Sequence, residues 1–229
     1  MILDARGFRE GLSALVFPHR CSICGEWGEE FICESCVERI ERVPAPFCVR
    51  CGCRNCRSTP DSFAAVRAVA LYRGVMKEAV SAFKYRGQRV LADPLAKILH
   101  AYLVESADIP WGRADRIVPV AMYRDKERQR GYNQSRLLAE RLSALSGIPL
   151  LPNAVHRVRT APQAWQAAQD RAANVLGAFN VPDPSPVRGS VILLVDDVCT
   201  TRSTLHECSL ALTGAGARVV YAVCLACGA

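Results

Sequence analysis

The sequence predicts an α/β protein: a mainly parallel sheet covered by helices, with a small Cys-rich metal-binding unit at the N-terminal end. Three observations carry this reading. Strand-like apolar runs alternate with helical stripes beyond residue 61, and those runs are apolar throughout rather than polar at every second position. Eight of the 12 cysteines fall within residues 21–56, all in C-x-x-C pairs. With 229 residues, 50% hydrophobic and 22% charged, the chain has material for one core domain and an appendage, which excludes disordered and collagen-like classes. The longest apolar stretch, 210–229, is broken by Gly214, Gly216 and Arg218, and Met1–Arg6 shows no basic-then-apolar leader. The expectation is a cytoplasmic protein without membrane insertion.

The Cys-rich unit comes first. Cys21-x2-Cys24-x8-Cys33-x2-Cys36 supplies two thiolate knuckles at the spacing of a tetrahedral Zn²⁺ site. In an unexported chain metal binding is the natural reading of such pairs, and disulfides are not. A second quartet follows, Cys48-x2-Cys51-x-Cys53-x2-Cys56. It either holds its own ion or interleaves with the first, and an iron–sulfur cluster is the lesser alternative to zinc. Four thiolates leave no open coordination position, so the metal is expected to be structural. Thr59-Pro60-Asp61 marks a boundary, giving a metal-binding domain over 1–60 and a larger domain over 61–229.

The larger domain reads in order. A strand is expected over 67–72, an amphipathic helix over 75–85, a second helix over 90–105 and a short apolar strand over 116–121. Leu137, Leu138, Leu142 and Leu145 stripe a helix over 134–145, and 154–158 suits a strand. Residues 190–195 form a strand apolar on both faces, 203–212 a helix, and 217–225 a closing buried strand. Cys199, Cys208, Cys224 and Cys227 read as small buried hydrophobes within these elements.

Charge is uneven. Residues 1–60 hold eight basic and eight acidic side chains, so the net +7 belongs to 61–229. Only four of the 29 basic residues are lysine. Arginine suits bidentate phosphate contact, and the excess points to an anionic partner, a phosphate-bearing small molecule or a nucleic acid.

The most informative stretch is Val191-Ile-Leu-Leu-Val195 followed by Asp196-Asp197-Val198-Cys199-Thr200-Thr201-Arg202-Ser203-Thr204. An apolar strand ends in two adjacent acids, then in a hydroxyl-rich turn that opens a helix. Turn amides, the helix N-terminus and the Thr/Ser hydroxyls form a phosphate cradle, at the carboxyl end of a parallel strand where open α/β sheets bind ligands. Two acids beside a phosphate are repulsive unless they hold something else, such as ribose hydroxyls or Mg²⁺ with its waters.

This V-D-D-V-x-T-T-x-S-T pattern resembles the 5-phosphoribosyl-1-pyrophosphate (PRPP) signature of type I phosphoribosyltransferases. The cysteine knuckles, Phe83-Lys84-Tyr85-Arg86-Gly87, Val118-Pro119-Val120, Arg130-Gly131-Tyr132-Asn133-Gln134, Thr160-Ala161-Pro162-Gln163 and Arg171-Ala-Ala-Asn174-Val-Leu-Gly177 together resemble the ComF family. Its members are phosphoribosyltransferase-like proteins linked to natural DNA competence. The resemblance covers nearly the whole chain. It implies a parallel sheet of the type I phosphoribosyltransferase kind, with structural Zn²⁺ and PRPP-associated Mg²⁺ as cofactors. Asp196 and Asp197 would hold the ribose, and Thr200, Thr201, Arg202, Ser203 and Thr204 the 5-phosphate. Lys84, Val120 and Arg124 would complete the PRPP contacts. Arg202 departs from the pattern, which has glycine there.

Residues 124–136 carry five basic and two acidic side chains. Beside a PRPP site this segment fits a loop over the pyrophosphate, with Arg124, Arg128 and Arg130 neutralising the leaving group and Gly131 as hinge; the alternative is a solvated helix face with alternating charges. The implied activity is transfer of a 5-phosphoribosyl group to an acceptor, connected with DNA uptake. The alternative is a non-catalytic protein on the same scaffold that binds single-stranded DNA or a partner such as a competence helicase-type protein, with Trp27, Phe31, Phe47 and Tyr132 as stacking candidates.

Overall fold

The computed structural model describes residues 18–45, 63–106, 109–158, 177–200 and 202–228. Cys48, Cys51, Cys53, Cys56, Phe47, Thr201, the Thr160–Gln163 motif and residues 171–176 lie outside the described residues.

Four strands form one sheet in the order β3 (Ala65–Leu71), β8 (Val219–Cys227), β7 (Val191–Cys199) and β4 (Arg116–Pro119), and every pairing is parallel. β7 is central and, except for Val198, buried along its whole length, which explains the apolar run of Val191–Val195. Three helices cover one face. α2 (Gly74–Tyr85) buries Met76, Ala79, Val80 and Phe83 at helical spacing, α3 (Ala92–Glu105) buries Leu95, Leu99 and Leu103, and α5 (Gln134–Ser146) buries Leu138, Ala139 and Leu142. The opposite face is covered by α6 (Ser203–Gly214), through Leu205, Cys208 and Leu212. A short hairpin of β5 (His156–Arg157) and β6 (Phe179–Asn180) packs on the same side.

The chain leaves β4 towards α5 on one face and leaves the neighbouring β7 towards α6 on the other. The crevice between their carboxyl ends is therefore a topological switch point, where such sheets bind ligands.

Most elements fall where the hydrophobic pattern places them. The basic segment differs: residues 124–130 form a helix, α4 (Arg124–Arg130), rather than a loop. Asp125 and Glu127 in its first turn and Arg128 and Arg130 in its last suit the helix dipole. Gly131 ends it in the left-handed conformation (φ 84°), and a Cβ there would meet Arg89 Nη2 at 3.2 Å, so this glycine is a helix stop.

Among the described residues, the N-terminal unit holds the antiparallel pair β1 (His19–Arg20) and β2 (Trp27–Gly28) and the short helix α1 (Glu34–Glu38). It does not stand apart. Cys21, Ile32, Cys36 and Ile40 belong to the core cluster that also holds α2, α3 and α5. Arg42 pairs antiparallel with Ala70, Leu71 N–H donates to Glu41 O at 2.9 Å, and Lys97 reaches Glu30 at 3.3 Å. These contacts cover part of the open edge of β3.

Candidate functional site

Two clusters carry chemistry. The first is Cys21, Cys24, Cys33 and Cys36, whose sulfurs all lie within 4.8 Å of one another. Cys21 and Cys36 sulfurs are 3.8 Å apart, and those of Cys24 and Cys33 3.5 Å. A tetrahedron with metal–sulfur bonds of about 2.3 Å has edges of about 3.8 Å, so the four thiolates fit Zn²⁺. The knuckle is shaped by backbone bonds: Cys21 N–H donates to Glu26 O, Gly25 N–H to Cys21 O and Ser22 N–H to Phe31 O. Around it, Cys33 N–H points at Cys21 Sγ at 3.5 Å, and Arg39 Nη2 donates to Cys36 Sγ at 3.0 Å. Such outer donors hold a thiolate in place and temper its charge. All four positions of a tetrahedral ion are filled by protein, which leaves the metal a structural role.

The second cluster sits at the switch point. β7 delivers Asp196 and Asp197 to the crevice, 8% and 2% exposed. Asp196 Oδ1 accepts from Ser135 Oγ at 2.7 Å and from Asp197 N–H at 2.9 Å. Asp197 Oδ1 accepts from Val198 N–H at 2.6 Å and pairs with Lys84 Nζ at 2.9 Å, while Asp197 Oδ2 is buried with no partner. Burial, reinforced by the neighbouring Asp197 charge, pushes the Asp196 carboxyl up to about 7. Burial works against the Lys84 ammonium, but the Asp197 carboxylate outweighs it and holds Lys84 above the ordinary lysine value.

The Arg130–Gln134 motif builds the wall opposite. Asn133 caps α5, its Oδ1 accepting from Ser135 N–H at 3.0 Å, and its Nδ2 donates to Val120 O at 3.0 Å. Tyr132 hydroxyl donates to Phe83 O, tying α5 to the end of α2 that carries Lys84. The motif thus positions Ser135 and Lys84 on the acids. Ser135 is the contributor that pattern reading misses, since a hydroxyl in a first helical turn has no signal of its own.

A cavity of about 140 Å³ lies over the acids, lined by Val120, Met122, Ser135, Arg157, Asp196, Asp197 and Thr204 among others. A second of about 140 Å³ adjoins it, shares Ala121, Met122, Asn133 and Arg157, and adds Arg124, Glu127, Arg136 and His156. Arg157 lies over the Tyr123 ring at 4.3 Å and the Phe179 ring at 5.1 Å, at the junction of the two. Of the arginines expected at a leaving group, Arg124 lines this space. Arg128 is exposed and paired with Asp125, and Arg130 stacks over Tyr85 and bonds Gln134. Arg136 and Arg157 line the same space. No motif distinguishes these two arginines, because the chain reaches this wall from two different elements.

The turn after β7 leads into α6, whose N-terminal position Arg202 has φ 62°, the one non-glycine residue with positive φ among the described residues. Arg202 thus occupies a left-handed conformation that glycine adopts without strain. Ser203 and Thr204 form the first turn of α6, and Thr204 faces the acid-pair cavity.

Zinc knuckles packed on an α/β sheet, with a paired-acid crevice at its switch point, define the class. Residues 12–63 match the double zinc ribbon domain family. Over 92% of its length the chain is 31% identical to DNA utilization protein YhgH of Escherichia coli (strain K12), covering 98% of that protein. It is 31% identical to competence protein F of Haemophilus influenzae over 87% of this chain and 93% of that one. With competence protein ComFC of Bacillus subtilis it shares 30% identity over 78% and 76% of the two chains. The chain belongs to the ComF family. A looser likeness is to the solved purine phosphoribosyltransferase of Pyrococcus horikoshii, with a TM-score of 0.38 and 21% identity over 59% of this chain and 72% of that chain. No helix among the described residues is long and apolar enough to cross a membrane.

Proposed function

We propose that the crevice binds PRPP or a related phosphoribosyl ligand and transfers its 5-phosphoribosyl group to an acceptor, in a protein that serves competence or DNA utilization as the names of its relatives say of them. The observation that carries this is the acid pair itself: Asp196 and Asp197 line the cavity at the switch point, and Asp197 Oδ2 is a buried acceptor with no donor. Such an atom costs about 1–3 kcal/mol until a ligand donor satisfies it, and a ribose hydroxyl is that donor.

In the reaction the bond from ribose C1 to pyrophosphate breaks, pyrophosphate leaves with the electron pair, and the acceptor's nucleophile closes on C1. Asp196 and Asp197 hold the ribose hydroxyls. Thr200, Thr201, Arg202, Ser203 and Thr204 with the α6 N-terminus take the 5-phosphate. Arg124, Arg136 and Arg157 draw off the charge of the departing pyrophosphate. The resemblance also implies Mg²⁺. The acid pair fits it poorly: both Oδ1 atoms already accept two contacts each, one of them from an ammonium group, so no step is assigned to a metal there.

Calorimetry of the zinc-loaded protein with PRPP tests the reading. Replacing both Asp196 and Asp197 by Asn should lower affinity at least about tenfold, since charge-assisted bonds contribute roughly 1.5–3 kcal/mol each. Wild-type affinity in the Asn pair would reduce the acids to a solvated cap.

A second reading has its own observation. Trp27 is 62% exposed on the knuckle hairpin, with the Arg20 guanidinium over its ring at 4.2 Å. That pair offers a stacking face and a cation to single-stranded DNA, without catalysis. Trp27→Ala should then weaken binding of a labelled oligonucleotide while leaving PRPP binding intact.

A further inference from the structure

Lys84 closes α2 and turns inward; its side chain is 15% exposed and that of its partner Asp197 3%. A lysine is rarely buried without a task, because its flexible stem and strongly hydrated head favour the surface. Here the ammonium sits 2.9 Å from Asp197 Oδ1, an oxygen that also accepts from Val198 N–H. Asp196 Oδ1 is taken by Ser135 and by the Asp197 amide. Ionised, the acids and the ammonium sum to a single negative charge. What remains is an acceptor, Asp197 Oδ2, buried without a donor, on a residue that lines the cavity.

A divalent cation such as Mg²⁺ wants oxygen ligands in near-octahedral order at about 2.0–2.1 Å, commonly one or two carboxylates among them. An ammonium on the same carboxylate repels such an ion and holds the oxygen it would use. An ammonium does not compete with a sugar hydroxyl, which needs only an acceptor oxygen.

We propose that Lys84 is the resident counter-cation of the acid pair, standing where a divalent metal would stand, so that the carboxylates grip ribose hydroxyls without Mg²⁺. This rests on reading the acids as the ribose holder. In this role Lys84 is a positioning residue: it sets the charge of the carboxylates, and they touch the ligand.

Two measurements test it, one with ligand and one without. Calorimetry with ribose-5-phosphate, which lacks the pyrophosphate that binds Mg²⁺ on its own account, should give the same affinity with and without millimolar Mg²⁺, within about twofold. A tenfold or larger gain on adding Mg²⁺ would overturn the proposal. Paramagnetic resonance of free Mn²⁺, with no sugar phosphate present, should show no ion at the acid pair of the zinc-loaded wild type. Lys84→Met should gain a Mn²⁺ site that is lost again in Lys84→Met with Asp197→Asn. Lys84→Arg keeps the positive charge and should bind no Mn²⁺; it serves if the methionine variant does not fold. A wild-type Mn²⁺ site abolished by Asp196→Asn or Asp197→Asn would sink the idea. If neither ribose-5-phosphate nor PRPP binds, yet the Mn²⁺ pattern holds, the phosphoribosyl reading fails while the counter-cation assignment stands.

Discussion

The thiolate cluster and the acid pair are both assemblies of like-charged side chains, and their surroundings treat them in opposite ways. The four sulfurs converge on one point at the edge lengths of a tetrahedral ion, and Arg39 and the Cys33 amide attend to two of them from outside. With the metal in place the set is complete. At the acid pair one ammonium faces two carboxylates, one carboxyl is driven up to about 7, and one oxygen is left without a donor beside a cavity. A cluster complete in itself serves stability, whereas one that is incomplete serves a ligand.

The largest effect that should follow from this contrast is on the complete cluster. Cys36 is fully buried in the core shared with α2, α3 and α5, so the zinc site anchors that core as well as its own knuckles. Structural zinc contributes roughly 10–16 kcal/mol in small zinc-finger units. Cys36→Ser should therefore release zinc from this quartet, lower the melting temperature of the whole protein, and open hydrogen exchange at Ile32 and Ile40 together with α3. Exchange confined to residues 18–45, with α3 unchanged, would show that the two regions are independent.

The fold was legible because its signals are periodic. Val191–Val195 is apolar on both faces and could only be a central strand, and the spacing of Met76, Ala79, Val80 and Phe83 admits a helix and little else. The first zinc quartet was equally legible, since C-x-x-C geometry is local. The acids were readable too, as two adjacent charges that close the apolar run of a buried strand, although the strand itself continues to Cys199. What was not readable is pairing at long range. Nothing in the sequence says that Lys84, 113 positions before Asp197, would salt-bridge to it, or that Ser135 would bond Asp196 across 61 positions. The segment 124–130 reads as a loop or as an exposed helix face, because alternating charge looks alike on both; the helix-dipole arrangement of those charges is the cue that favours the helix.

An intermediate effect concerns pH. Asp196 is raised from 3.8 to about 7 in the fold, by burial first and by the Asp197 charge second. Between these values the unfolded chain has released a proton that the folded chain keeps, so this group's contribution to stability is full in acid and falls as pH rises from about 4 to 7. Ligand binding runs the other way, because a ribose hydroxyl needs the carboxylate. Ribose-5-phosphate affinity should rise through neutral pH beyond what the phosphate's own titration gives, and Asp196→Asn should remove that excess. Asp197, Lys84 and Ser135 surround the group, and Asp197→Asn should shift the midpoint downward by removing the adjacent charge. The same slope in wild type and Asp196→Asn would place the titrating group elsewhere.

The smallest effect is the sharpest probe of the incomplete site. Arg202 bears a left-handed backbone at the N-terminus of α6, a conformation that costs a non-glycine residue about 1–2 kcal/mol. Glycine would relieve that cost but would lose roughly 0.4–1 kcal/mol through the greater freedom of the unfolded chain. Arg202→Gly should therefore stabilise the fold by between about 0 and 1.6 kcal/mol, visible as an upward shift in the denaturant midpoint. Strain of this kind persists where something else over-determines the residue, and at a phosphate cradle the candidate is the guanidinium charge. If so, the glycine variant should bind ribose-5-phosphate several-fold more weakly, and raised salt should narrow the gap between the two proteins. A glycine variant that binds more tightly would mean that Arg202 obstructs the cradle. The incomplete site would then be a weakened one, and the case for a binding protein without catalysis would gain.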